Sequence, residues 1–102
     1  MFDEAVAECR EAIRLDPDDS VAYSFLGEIL AEKGELAEAL QTYGESLRLD
    51  PDDARILCWY ADALNDLGRI DEAKAAWERV VELDNNGKFG ELARESLQEL
   101  EQ

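Results

Sequence analysis

The residues able to do chemistry in this chain are mostly carboxylates. Its 102 residues include 26 aspartates and glutamates against 10 lysines and arginines, a formal net charge of −16, and no histidine. The usual acid and base of neutral pH is therefore missing. No G-x-S-x-G, Walker loop or dinucleotide fingerprint occurs either, so neither catalysis nor a cofactor is expected. At this acidity neighbouring carboxylates are common, and a pair of them is no sign of a catalytic dyad. Glu82, Asp84, Asn86 and Gly87 loosely follow the opening of a calcium loop. Its twelfth position would be Ala93, where a bidentate glutamate is needed, so a polar turn without metal is the expectation. Cys9 and Cys58 are too few for a disulfide framework and lack zinc-site spacing.

The same charge argues against a nucleic-acid partner. Lysine is confined to Lys33, Lys74 and Lys88, and acid is spread along the whole chain. That pattern resembles proteins adapted to concentrated salt, where counterions screen self-repulsion; a merely acidic surface is the alternative. No run of 18 apolar residues occurs, so no membrane span is expected, and MFDEAVAECR lacks the basic start and apolar run of a secretion signal. A cytoplasmic address follows as the expectation.

Such residues must be positioned by something, and the sequence repeats itself. RLDPDD stands at Arg14–Asp19 and again at Arg48–Asp53, 34 residues apart, with a degraded copy at Glu82–Asn86. Ala5, Ala39 and Ala73 share the interval, as do Cys9, Tyr43 and Trp77. A fixed period of this length marks a stacked repeat array. Within each period the apolar residues fall three and four apart, as in Leu36, Ala39, Leu40, Tyr43 and Leu47, which is helical spacing. Gly34 and Gly68 suit left-handed helix ends, and Pro17 and Pro51 stop the preceding helix. Helices are expected at 2–15, 20–33, 36–49, 54–67, 70–83 and 89–101, with Asp18–Asp19 and Asp52–Asp53 capping the helices that follow them.

Tyr23-x2-Leu26-Gly27-x2-Leu30, then Ala39-x3-Tyr43, then Pro51 resembles the tetratricopeptide repeat family, whose 34-residue unit carries that signature. Residues 54–87 match more loosely through Leu57, Tyr60, Ala61, Leu64, Ala73 and Trp77, with Asn85 in the proline slot. The resemblance implies an all-α fold, an α-α superhelix: a right-handed solenoid of antiparallel hairpins. Residues 1–102 are then one domain: 2–19 the second half of a repeat, 20–53 and 54–87 two repeats, and 88–102 a capping helix. In that cap Phe89, Leu92, Leu97 and Leu100 are expected on one face, with Glu91, Arg94, Glu95, Gln98, Glu99 and Glu101 on the other.

Tetratricopeptide arrays generally bind peptides on the concave face of their first helices. The corresponding residues here are Val21, Ser24, Phe25, Glu28 and Glu32, then Arg55, Cys58, Trp59, Asp62, Asn65 and Asp66. Chaperone-binding members need lysine, asparagine and arginine at particular groove positions, where this chain has Ser24, Glu28 and Trp59, so chaperone tails are not expected to bind. Aromatics beside acid suit a basic, partly apolar peptide or protein surface; packing of Phe25 and Trp59 in the core is the alternative. Cys9 is expected buried and Cys58 on the groove side, with Asp62 and Asp66 raising its pKa. Arg55 is expected to meet an acidic ligand residue, Asp52 or Asp62. The rival function is self-association through Phe2, Val6 and their apolar neighbours on helix 2–15.

Overall fold

In the computed structural model, which describes residues 1–101, the chain forms α1 (Phe2–Leu15), α2 (Ser20–Glu32), α3 (Leu36–Leu49), α4 (Ala54–Asp66), α5 (Ile70–Leu83) and α6 (Lys88–Leu100). Each stop has a local cause. Gly34 and Gly68 sit at φ 91° and 82°, a region open to glycine at no steric cost. The residues after them, Glu35 and Arg69, return their N–H groups to the carbonyls of Leu30 and Leu64 at 2.9 and 2.8 Å, closing α2 and α4. Asp19 caps α2 by accepting from the backbone N–H of Val21 and Ala22, and Asp53 caps α4 by accepting from Ile56. In each expected Asp pair only the second residue caps; Asp52 instead pairs with Arg79 at 3.2 Å.

The third seam lacks proline and is built differently. The Asp84 carboxylate accepts from the backbone N–H of Phe89 at 3.1 Å and Gly90 at 3.4 Å. Arg94 donates to the carbonyl and side chain of Asn85. Asp84, considered above as a possible metal ligand, is thus employed at the start of α6.

The chain divides into two compact units, Met1–Pro51 and Asp52–Gln102. In the first, α2 packs along α3 and α1 packs on α2. Val6, Ala22, Leu26, Leu30, Ala39, Leu40 and Tyr43 form its buried core. Lys33–Asp3 and Arg10–Glu38 ion pairs, at 3.0 and 2.8 Å, hold α1 to the hairpin, although such exposed pairs contribute only about 0–1 kcal/mol each. Ser46 donates from Oγ to the Ser20 carbonyl at 2.9 Å, joining α3 to the start of α2.

In the second unit α4 packs along α5, and α6 packs on both. Ile56, Ala61, Leu64, Ala73, Trp77, Val80 and Ala93 are buried. The expected inner face of α6 needs correction. Gly90 and Ala93 are buried while Leu92 is 41% exposed. The stripe that follows helical spacing runs through Gly90, Ala93, Leu97 and Leu100, and its small residues permit close approach. A Cβ on Gly90 would collide with the Asp84 carbonyl.

Candidate functional site

On α2, Val21 and Phe25 are 52% and 50% exposed, large apolar groups that the core leaves uncovered. Their spacing of four puts them on one side of the helix. With Cys9 and Ala12 of α1 and Ala22 of α2 they line a cleft of about 270 Å³, edged by Glu8 and Asp19 and by no basic side chain. Glu28 is half-buried and Glu32 exposed. Ser24 is corrected: it is 3% exposed, and its hydroxyl donates to the Val21 carbonyl of its own helix at 2.8 Å. It offers nothing to a ligand.

On α4, Arg55 lies with its guanidinium carbon 5.0 Å from the centre of the Trp59 ring, one helical turn apart. That is a cation–π contact. Trp59 and Asn65 are half-buried; Asp62 and Asp66 are exposed.

The two thiols exchange the environments expected of them. Cys58 is 3% exposed and its pKa is pushed up to about 11, chiefly by burial and then by the charge of Asp62. Cys9 is only half-buried, because α1 is packed on α2 and its ring-sized slot holds a smaller side chain; burial, and then Glu8, raise its pKa as well. Val6, expected on an open patch, is buried, whereas Phe2 is 42% exposed.

Asp62 opens onto a second cavity, of about 480 Å³, shared by α4, α5 and α6. Asn65, Asp66, Trp77, Ser96, Glu99 and Leu100 complete its lining. Although exposed, Asp62 has a raised pKa. Protein atoms displace water from its carboxyl, the Trp77 indole N–H opposes this, and Asp66 adds repulsion. Trp77 itself is 2% exposed, and its Nε1 is buried without an acceptor at hydrogen-bonding distance. Among the described residues no three acidic or cysteine side chains come together closely enough to hold a metal ion.

Sequence reasoning missed Glu8, Cys9, Ala12 and Asp19 around the α2 cleft, and Ser96, Glu99 and Leu100 around the second. Signals existed for both. Glu8, Cys9 and Ala12 share one side of α1, and Ser96, Glu99 and Leu100 share one side of α6, at the three- and four-residue spacing of neighbours on a helix. Sorting α6 by polarity alone hid Glu99 on the expected solvent face. Among the described residues no helix is long and apolar enough to cross a membrane.

Comparison with known proteins matches the geometry. The family profile described as tetratricopeptide repeat matches residues 30–94, and a second profile with the same description matches residues 2–54. Among curated proteins there is no match. The first TPR of Spaghetti (RPAP3), bound to the HSP90 peptide SRMEEVD, superposes with a TM-score of 0.89 at 22% identity, over 98% of this chain and 77% of that one. The Yersinia enterocolitica type III secretion chaperone SycD, in complex with a peptide of the translocator YopD, gives 0.89 at 23%, over 98% and 79%. PcrH in complex with the chaperone binding region of PopD gives 0.87 at 22%, over 95% and 76%. At these identities the likeness is one of fold, the all-α class of α-α superhelices. With profiles of one description matching more than half its length, the chain belongs to the tetratricopeptide repeat family.

Proposed function

We propose that the chain is a non-catalytic protein-interaction module that binds a basic, partly apolar peptide or protein surface through α2 and α4. The contacts are Val21, Phe25, Glu28 and Glu32 on the first helix, and Trp59, Asp62, Asn65 and Asp66 on the second. The observation that carries this reading is the α2 cleft: two exposed apolar side chains edged by carboxylates, with no cation in its wall. An apolar anchor can fill it while an arginine or lysine beside that anchor meets Glu8 or Asp19. Peptides bound to the RPAP3 domain, SycD and PcrH support peptide capture as a use of this fold.

Affinity rests on the apolar anchors, because an exposed ion pair contributes only about 0.2–1 kcal/mol. A dissociation constant of roughly 1–10 μM, rising with salt, is expected for a peptide alternating arginine and leucine. Fluorescence anisotropy of that peptide, labelled, tests it. Phe25→Ala is expected to weaken binding about tenfold and Glu28→Gln less than threefold. Equal binding of a glutamate–leucine peptide would refute the basic preference.

A second reading, association of two copies through α1, is favoured by the exposure of Phe2. Beside it, Val6, Ala7 and Leu30 line a cleft with both acidic and basic side chains, among them Asp3, Arg10, Glu11 and Arg14, a mixture that can complement itself. Sedimentation across a concentration series tests it: a monomer throughout removes the reading, and a dimer lost in Phe2→Ser sustains it.

A further inference from the structure

The pair α1 and α2 stands two periods ahead of the pair α5 and α6, with starts at Phe2 and Ser20 against Ile70 and Lys88. In both pairs the later helix packs on the earlier. The second unit adds α4, which lies along α5 and reaches α6. There Ala73, Trp77, Val80 and Ala93 are at most 2% exposed. Two periods earlier the same places hold Ala5, Cys9, Ala12 and Phe25. Ala5 and Cys9 are only half-buried, Ala12 is exposed and Phe25 is 50% exposed. Among the described residues α4 has no counterpart beside α1. The α2 cleft, lined by Cys9, Ala12, Val21 and Phe25, is the place that such a helix would cover.

Size and charge select the occupant. Tyr43 and Trp77 fill, one and two periods on, the place that Cys9 has in α1. The Tyr43 ring takes the space of a Cβ on Gly27, so the helix crossing it must be bare there. A thiol in place of the ring leaves that volume free, and a helix crossing Cys9 can bring a leucine of its own. The cleft is edged by Glu8 and Asp19. The ion pairs of α1 use Asp3, Arg10, Glu11 and Arg14, which leaves Glu4 and Glu8, one turn apart, without an ion pair among the described residues. A second copy's α1, laid antiparallel over Cys9, would set Glu8 against its own copy, and like charges in contact oppose pairing. The charge therefore fits a helix that carries cations.

We propose that the α2 cleft receives one amphipathic α-helix of another protein, laid on α1 and α2 as α4 is laid on α5 and α6. A leucine-sized residue of that helix sits over Cys9, its apolar stripe covers Ala12, Val21 and Phe25, and arginine or lysine along its edge meets Glu4 and Glu8. The inference deepens the interaction-module reading and rests on it for the basic character of the partner. What it adds is the helical form and the place of the large side chain.

The test uses the full chain and leucine–arginine peptides of about 16 residues. One has its leucines three and four apart, and a second has the same composition in alternating order. The first is expected to bind about tenfold more tightly than the second, to gain helical circular dichroism when bound, and to shift the amides of Ala5, Ala12, Val21 and Phe25. Cys9→Tyr, its fold checked by melting, is expected to weaken the helical peptide about tenfold. Glycine placed at each leucine in turn is expected to restore about fivefold at one position, where it meets the new ring. Ala12→Trp, an exposed substitution outside the core, is expected to block the same peptide. Equal binding in Ala12→Trp, or a loss in folded Cys9→Tyr that no glycine restores, would overturn the proposal. So would binding of a peptide with the sequence of Phe2–Leu15 as tightly as the helical one, since the occupant would then be a second copy. The two readings also separate. If the alternating peptide binds as well as the helical one or better, the helix is wrong and the broader reading stands. If a helical peptide with glutamate for arginine binds equally and Ala12→Trp blocks it, the helical seat stands and the basic preference falls.

Discussion

The ring of Tyr43 occupies the space that a Cβ on Gly27 would need, with Cδ1 and Cε1 each 2.6 Å from that position. Glycine at this crossing lets α2 and α3 approach until the ring lies on bare backbone, and Tyr43 is 3% exposed as a result. Gly27→Ala gains about 1 kcal/mol of helix propensity, but the buried ring cannot swing aside, and overpacking of this kind costs about 1–3 kcal/mol. Urea unfolding is expected to show a net loss of up to about 2 kcal/mol. A gain in stability would mean that the contact is loose.

Asp62 gives a prediction of pH dependence. Its folded pKa lies above the ordinary value of 3.8, chiefly through burial, so between that value and the raised one the folded state holds more proton than the unfolded state. Stability from this group therefore falls as pH rises through the window and stays lower above it. Asp62→Asn is expected to raise the melting temperature at pH 7 and to leave it nearly unchanged at about pH 3, where the carboxyl is protonated in both states. A lower melting temperature at pH 7 would contradict this.

The thiols differ in reactivity. With a pKa of about 11, roughly one Cys58 side chain in a thousand is ionised at pH 8, and burial blocks access to the remainder. Mass spectrometry after iodoacetamide treatment at that pH is expected to find Cys9 modified first and Cys58 only on unfolding. Prior labelling of Cys58 would show that α4 opens readily.

Salt tests the meaning of the acidity. With a net charge of −16, screening is expected to raise the melting temperature between about 0.05 and about 1 M potassium chloride, where the screening length shortens to about 3 Å. A flat or falling curve would argue that the carboxylates are already spaced beyond harmful repulsion.

Repetition made most of the fold legible. Gly34, Gly68, Pro17 and Pro51 mark where helices stop because their backbone limits are local, and five of the six helices start at the expected residue, the last one residue earlier. Ala39, Ala61 and Ala73, small residues of the repeat signature, are fully buried. The candidate sites were less legible because exposure depends on which neighbour covers a side chain. Ser24 and Phe25 are adjacent in sequence, yet one is sealed and the other half open. Cys58 shares its helix with Trp59 and Asp62 but turns inward, and Glu99 looked like solvent-facing charge until α6 was placed beside α4. Polarity gives a residue's tendency; the packed neighbour decides its role.

An amide chemical-shift map of the arginine–leucine peptide on the full chain shows whether α2 and α4 receive it. Changes are expected on α2 at Val21, Phe25, Glu28 and Glu32, with Glu8 and Ala12 across the cleft, and on α4 at Trp59, Asp62, Asn65 and Asp66. Absence of binding, or changes confined to the outward residues of α3 and α5, would contradict it.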